Sequence, residues 1–184
     1  VITSGIVLRL TTAGAIGDDV DVRTNEYGFN RQPFFVDTRG TMELNIIFRN
    51  NSSTSTEGFI GLLDSTAALT ALPTTARHVG LFWDLSANAN YVISSSDGTT
   101  QSTNNTGEAV DAATRYRLFI RWTAEGAFTV TFLEGTGFAT QIDTSSFTGV
   151  EGSGGNTFQL HFFVQTEALA AKEIDINEWR CSIT

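Results

Sequence analysis

Apolar residues in this chain recur at every second position, in short runs separated by turn-forming residues. Ile6, Leu8 and Leu10 share one face, as do Met42, Leu44, Ile46 and Phe48. The pattern repeats as Val79/Leu81/Trp83, Tyr116/Leu118/Ile120/Trp122, Phe128/Val130/Phe132 and Phe158/Leu160/Phe162/Val164. A period of two places these side chains on one side of a strand, which rules out amphipathic helices over these stretches. Shorter runs at 34–37, 58–63, 91–95 and 137–142 fit further strands. Turn signals at 37–40, 50–56, 96–98, 124–126, 134–137 and 149–156 divide them. Many short strands with regular turns predict an antiparallel two-sheet sandwich. A single helical turn is expected within 65–72. The Gly- and Asp-rich stretch 11–32 shows no clear period and reads as a long loop or an N-terminal arm. No repeat or linker divides the 184 residues, so one domain over 1–184 is expected.

Composition agrees with this reading and narrows the function. Phenylalanine, at 14, dominates the aromatics, and threonine is abundant; both suit a pleated, half-buried surface. Acidic residues outnumber basic ones 20 to 11, which excludes the broad basic footprint of a nucleic-acid binder. No apolar run approaches the ~20 residues of a membrane-spanning helix, so no membrane partner is expected. One cysteine, Cys181, excludes an internal disulfide framework and reads as a buried, inert thiol. The chain opens at Val1, which fits a processed start or an excised segment, and its first residues carry no signal-peptide pattern.

The segments RHVGLFWD, NYVISSSDGTTQSTNNTG, RYRLFIRW, FTVTFLEG and TFQLHFFVQT, closing on EIDINEWRCSI, resemble the concanavalin A-like (laminin G-like) jelly rolls. They are most similar to the versions found in bacteriophage structural proteins. The resemblance implies two antiparallel sheets with the first and last strands adjacent.

Several strands also carry an apolar residue in the phase opposite the core: Ile47, Phe82, Phe119, Leu133 and Phe163. Such a second apolar set is covered by loops, serves as a subunit interface, or offers an aromatic platform for sugar rings. Arg115, Arg117 and Arg121 form a basic stripe beside it, expected to pair with carboxylates on neighbouring strands or across a contact. The expectation is a non-enzymatic virion component that decorates a capsid or builds a fibre. It would act as a homo-oligomer, a trimer first of all, in contact with other virion proteins. The alternative is a lectin-like carbohydrate-binding module at a cell surface or outside the cell, with a glycan as partner.

A second alternative is catalytic. Glu173-Ile174-Asp175-Ile176-Asn177-Glu178 resembles the active-site strand of laminarinase-type glycoside hydrolases. That resemblance implies Glu173 as nucleophile, Asp175 as assistant and Glu178 as acid/base. Retaining enzymes hold their two working carboxyls about 5–5.5 Å apart. The phase change between Ile176 and Trp179 requires a bulge near Asn177, which returns Glu178 to the side of Glu173 and Asp175. Against catalysis, EALAAK precedes the string where the hydrolases carry a Trp- and Gly-containing segment. Trp83, Trp122 and Trp179 also all fall in core phase. The expectation is therefore a closing edge strand with polar outward residues.

No cofactor is expected. Asp18, Asp19 and Asp21 are candidate calcium ligands, since calcium takes oxygen donors, and Asp97 and Asp111 near Asn104 and Asn105 are a further rim candidate. His78 and His161 fall in outward phase and are expected as hydrogen-bonded surface or interface side chains.

Overall fold

The structure, a computed structural model, describes residues 8–23, 34–35, 41–64, 67–123, 127–148, 150 and 157–183. Among the described residues thirteen strands form two antiparallel sheets. They are β1 (Leu8–Thr11), β2 (Asp19–Arg23), β3 (Phe34–Phe35), β4 (Met42–Asn50), β5 (Thr56–Leu63), β6 (His78–Asp84) and β7 (Asn88–Ser96). After these come β8 (Gln101–Ala109), β9 (Tyr116–Trp122), β10 (Ala127–Glu134), β11 (Thr140–Thr148), β12 (Thr157–Thr166) and β13 (Glu173–Ile183). A six-stranded sheet runs β1-β13-β4-β9-β10-β11, and a seven-stranded sheet runs β2-β12-β5-β6-β7-β8 with β3 also on β12. This is the two-sheet jelly-roll sandwich that the alternation predicts.

The period-two residues meet between the sheets. Leu44, Ile46 and Phe48 from one sheet and Ile60, Leu81, Trp83, Leu160 and Val164 from the other are fully buried. An aromatic knot of Phe48, Tyr91, Tyr116 and Phe132 fills one end, with ring centroids 5.1–6.4 Å apart. Offset and edge-on rings at such spacings add to their area burial. Cys181 is half-buried against this core, and burial pushes its thiol up to about 11, so it is unreactive near neutrality. Trp179 packs there too.

Four elements depart from the sequence reading. Where the pattern predicts a strand over 137–142, Thr136–Phe138 form a 3-10 turn and β11 begins only at Thr140. Within 11–32, Asp19–Arg23 forms an edge strand on β12; its DVDVR alternation is too short to stand out among glycines and aspartates. Gln101–Ala109 is a strand with almost no apolar residue, because it borders solvent. The segment 67–77 contains no helix. Two edges are clasped together: the Asn104 amide on β8 donates to Asp143 Oδ2 at 2.7 Å and Ser145 Oγ at 2.8 Å on β11. Of the rim calcium candidates, Asp97 and Asp111 each cap their own turn. β13 closes the chain beside β1, as the resemblance implies, but it is not an edge: it lies between β1 and β4.

Candidate functional site

The outer surface of the seven-stranded sheet combines aromatic, acidic and amide side chains. Its central cross-strand row runs Arg23, His161, Gly61, Gly80, Ser94 and Thr103. Gly61 and Gly80 face one another, and a Cβ on either would strike the backbone of the partner strand. The space above them is taken by the Phe59 ring. Phe59, Leu63 and Phe163 form a second apolar cluster outside the sheet, packed against Leu69, Leu72, Ala76 and Phe82.

Residues 67–77, between β5 and β6, are what cover this cluster. Leu69 N–H donates to Asp21 Oδ2 at 2.8 Å on β2, and the Gln165 amide donates to Thr70 O at 3.1 Å. On the far side the Gln101 amide of β8 reaches Pro73 O at 3.4 Å. The segment therefore straps the sheet from one edge strand to the other.

Beneath the strap lie polar groups. His161 Nδ1 meets Asp21 Oδ2 at 3.0 Å, with both side chains no more than 1% exposed. Arg23 Nε is 3.8 Å from the same carboxylate. His78 Nδ1 faces the Ala76 carbonyl at 2.8 Å, so that nitrogen carries the proton. Its Nε2 then accepts from Ser94 Oγ at 2.8 Å, while Ser94 accepts from Gln101 at 3.1 Å. Burial lowers the His78 pKa and keeps the ring neutral. Both histidines are thus fully buried rather than at the surface. Their outward phase is as expected, but the strap turns that phase into an interior.

At the other end the face is open. Phe82 is half-buried and stands opposite Val92, which stands opposite Asn105. The Asn90 amide donates to Asn105 Oδ1 at 3.1 Å. Asp84 borders Phe82, its Oδ1 holding the Ser86 N–H and hydroxyl and the Ala87 N–H. Ligand oxygens of Glu57, Asp84 and Glu167 lie within 4.8 Å of one another. Burial first, then Asp84 and Glu167, raise Glu57 to about 7.

Such a carboxyl binds a proton in the fold that it releases when unfolded, between its unfolded value of about 4.3 and 7. Stability falls as pH rises through that window. Glu57→Gln is expected to stabilise the chain at pH 8 by about 1 kcal/mol, discounted for partial exposure, and to change little at pH 4. Melting temperatures of both proteins at the two pH values check this; an equal shift at each would refute it.

The apolar residues singled out from the sequence do not share one surface. Phe82 and Phe163 lie on the seven-stranded sheet, and Phe163 is buried under the strap. Ile47, Phe119 and Leu133 lie on the opposite side of the molecule, half-buried on the six-stranded sheet. There Arg117 stands between Ile47 and Leu133 and donates to Asn45 Oδ1 at 2.9 Å. Arg121 pairs with Glu43 of β4 at 3.6 Å, as expected of the stripe, and Arg115 is exposed just before β9.

The acidic string lies on that same six-stranded side. The bulge falls between Ile176 and Glu178 and returns Glu178 to the outward phase opposite Ile47. Each carboxylate has an arginine: Glu173 with Arg9 at 3.4 Å, Asp175 with Arg9 and Arg49, Glu178 with Arg180. The hydrogen bond from Arg9 holds Asp175 well below the usual carboxylate range. A permanently ionised Asp175 cannot trade protons with its neighbours. The calcium candidates are also dispersed. Asp18 caps the Gly14 and Ala15 N–H groups, Asp21 holds His161 and the strap, and Asp19 is exposed. The convergent trio Glu57, Asp84 and Glu167 escapes sequence reading because its members come from three distant segments.

No family model matches the chain, and no curated protein does. Solved structures do match. The Lotus tetragonolobus seed lectin aligns over 96% of this chain and 88% of its own, at 10% identity and a TM-score of 0.65. The endo-beta-1,4-glucuronan lyase of the fungus Trichoderma reesei aligns over 97% and 81%, at 9% identity and 0.64. A legume lectin-like domain from Entamoeba histolytica aligns over 94% and 82%, at 12% identity and 0.63. These likenesses lend no support to a bacteriophage origin. At such identities they speak for architecture alone, and together with the strand order they establish this chain as a concanavalin A-like jelly-roll sandwich.

Proposed function

We propose that this domain binds a neutral glycan at the open end of the seven-stranded sheet, without turning it over. The observation that supports this reading is Phe82: a half-buried ring on a polar surface, with the Asn90–Asn105 amide pair and the Asp84 carboxylate around it. An apolar ring face packs against the C–H face of a pyranose, and amides and carboxylates at its edge bond the hydroxyls. The surrounding carboxylates Asp19, Glu57, Asp84 and Glu167 repel uronic acids and sulfated sugars, so the ligand class is uncharged. The absence of turnover rests on the arginine-paired state of Glu173, Asp175 and Glu178, on the other side of the molecule. The residues that suggested a virion contact are split between two surfaces, and Phe163 serves its own chain, which weakens that reading.

A glycan array carrying neutral and acidic sugars, followed by calorimetry, tests the proposal. Neutral glycans should be retained. Phe82→Ala should weaken them about tenfold, the equivalent of ~1.4 kcal/mol, with an unchanged circular dichroism spectrum. Retention of acidic glycans only, or full binding by Phe82→Ala, would overturn it.

A further inference from the structure

Two loops at one end of the sandwich are built almost wholly from small and aliphatic residues. The first is Ala13-Gly14-Ala15-Ile16-Gly17, between β1 and β2; the second is Ala168-Leu169-Ala170-Ala171, between β12 and β13. Paired hydrogen bonds clamp them side by side. On one flank Thr12 N–H donates to Lys172 O, and Lys172 N–H to Thr12 Oγ1, both at 2.9 Å. On the other, Gly17 N–H donates to Thr166 O at 2.9 Å and Thr166 N–H to Asp18 O at 3.0 Å. Each loop also has its own polar pin. Asp18 Oδ2 accepts from the N–H groups of Gly14 and Ala15, and the Thr166 hydroxyl bonds the carbonyls of Ala168 and Ala170. The backbone is thus satisfied inward, and the aliphatic side chains point out. Ile16 is 68% exposed and Leu169 81%, the only large apolar side chains so exposed among the described residues.

A rigid apolar tip with its ordering cost already met is suited to docking. The charges around it select the partner. Asp18, Asp19 and Glu167 stand at its base, and the nearby Lys172 is buried. Carboxylates there oppose an anionic membrane, and two tips meeting head to head would bring like charges together. The partner surface must be apolar and carry cations. This chain owns such a surface. On the six-stranded sheet Ile47, Phe119 and Leu133 surround Arg117; its neighbours Arg121 and Arg180 are already paired with Glu43 and Glu178, so Arg117 carries the cationic character of the patch. No carboxylate pairs with Arg117 among the described residues.

We propose that the tip of one copy docks on the outer face of the six-stranded sheet of a second copy. Ile16 and Leu169 sit among Ile47, Phe119 and Leu133, and the carboxylates at the tip's base face Arg117. The contact is heterologous, because the two surfaces differ. It therefore builds closed rings or open chains rather than a two-fold dimer. It does not rest on the glycan reading: neither surface includes Phe82, and Asp19 and Glu167, which stand both at the tip's base and at the rim of the glycan face, are left unchanged in the test.

Sedimentation velocity over a rising concentration series tests this, using the whole chain. The wild-type mass should climb beyond that of a dimer. Leu169→Asp, which spoils only the tip, and Arg117→Glu, which spoils only the sheet face, should each remain monomeric at every concentration. Each variant keeps the half that the other lacks, so an equimolar mixture should form one-to-one complexes and nothing larger. Thermal melts confirm that both variants are folded, and Arg117→Lys should restore association if Arg117→Glu acts through charge. A monomeric wild type, a mixture that stays monomeric, or a Leu169→Asp variant that assembles like wild type would each overturn the proposal. So would flotation of the monomeric wild type, but not of Leu169→Asp, with neutral phosphatidylcholine vesicles.

Discussion

Gly80→Ala is expected to destabilise the domain by about 3 kcal/mol, more than a single added methyl usually does in a sheet. The added carbon would press on the Ile60 carbonyl and come 2.8 Å from Gly61 Cα, so backbone and not a side-chain tip must yield. The Phe59 ring, 3.0 Å away, fills the direction of relief, and it is fully buried beneath the strap. Alanine stiffens the unfolded chain and on that account alone would stabilise by about 0.4–1 kcal/mol. The sign is therefore decided by sterics. A domain of this size loses about 2–4 °C of melting temperature per kcal/mol, so a fall of roughly 6–12 °C should appear in a thermal melt. A shift under a degree would show that β5 and β6 can part without cost. Phe59→Ala combined with Gly80→Ala should cost less than the two separate losses added together, because the ring that blocks relief is gone.

Asp175→Asn should be nearly as damaging, at about 2–3 kcal/mol. The carboxylate is 2% exposed and takes 2.7 and 3.0 Å bonds from Arg9 and a 2.8 Å bond from Arg49. An amide of the same shape keeps one acceptor and sets an N–H₂ against a guanidinium. Both arginines reach solvent, 51% and 36% exposed, which keeps the loss below that of a fully buried pair. The effect must vanish in acid. Because the folded-state pKa is depressed, the stabilisation is complete above the unfolded value of about 3.9 and disappears as pH falls through the lower folded one. The gap between wild type and Asp175→Asn should be constant from pH 7 to 5 and shrink below pH 4, as read by urea denaturation. A gap that stayed constant to pH 2 would assign the loss to packing instead.

Alternation made the core readable because a strand has only two sides and one of them had to be apolar. It located β4, β6, β9, β10 and β12 and the bulge at Asn177. It missed β8, whose polar run carries no apolar phase, and β2, whose five residues are too few to show a period. The phase of Phe163, His161 and His78 was also legible, but phase says which side a residue takes and not whether that side is wet. Only the hydrogen bonds of Leu69, Thr70 and Pro73 decide that, and they join positions about the whole width of the sheet apart. For the same reason Phe82 could be flagged from sequence, whereas its companions Asp84 and Asn90 could not, and Asn105 stood out only as part of a rim calcium candidate. They are ordinary turn and edge residues until the register of β6, β7 and β8 sets them side by side.

The strap has a further consequence, for how this chain can drift over generations. β5 and β12 are packed on both sides, so a replacement in either phase must fit a buried site, and a polar one must bring its own partner as His161 does with Asp21. β9 and β10 have one side facing out, and there positions away from the docking patch of Arg117, Phe119 and Leu133, such as Thr129, can be exchanged. Substitution should therefore accumulate on the six-stranded side of the molecule, and homologues would first become unrecognisable there. The paired glycines, the aromatic cluster above them and the three residues that anchor the strap would form the slowly changing signature by which distant members could still be aligned.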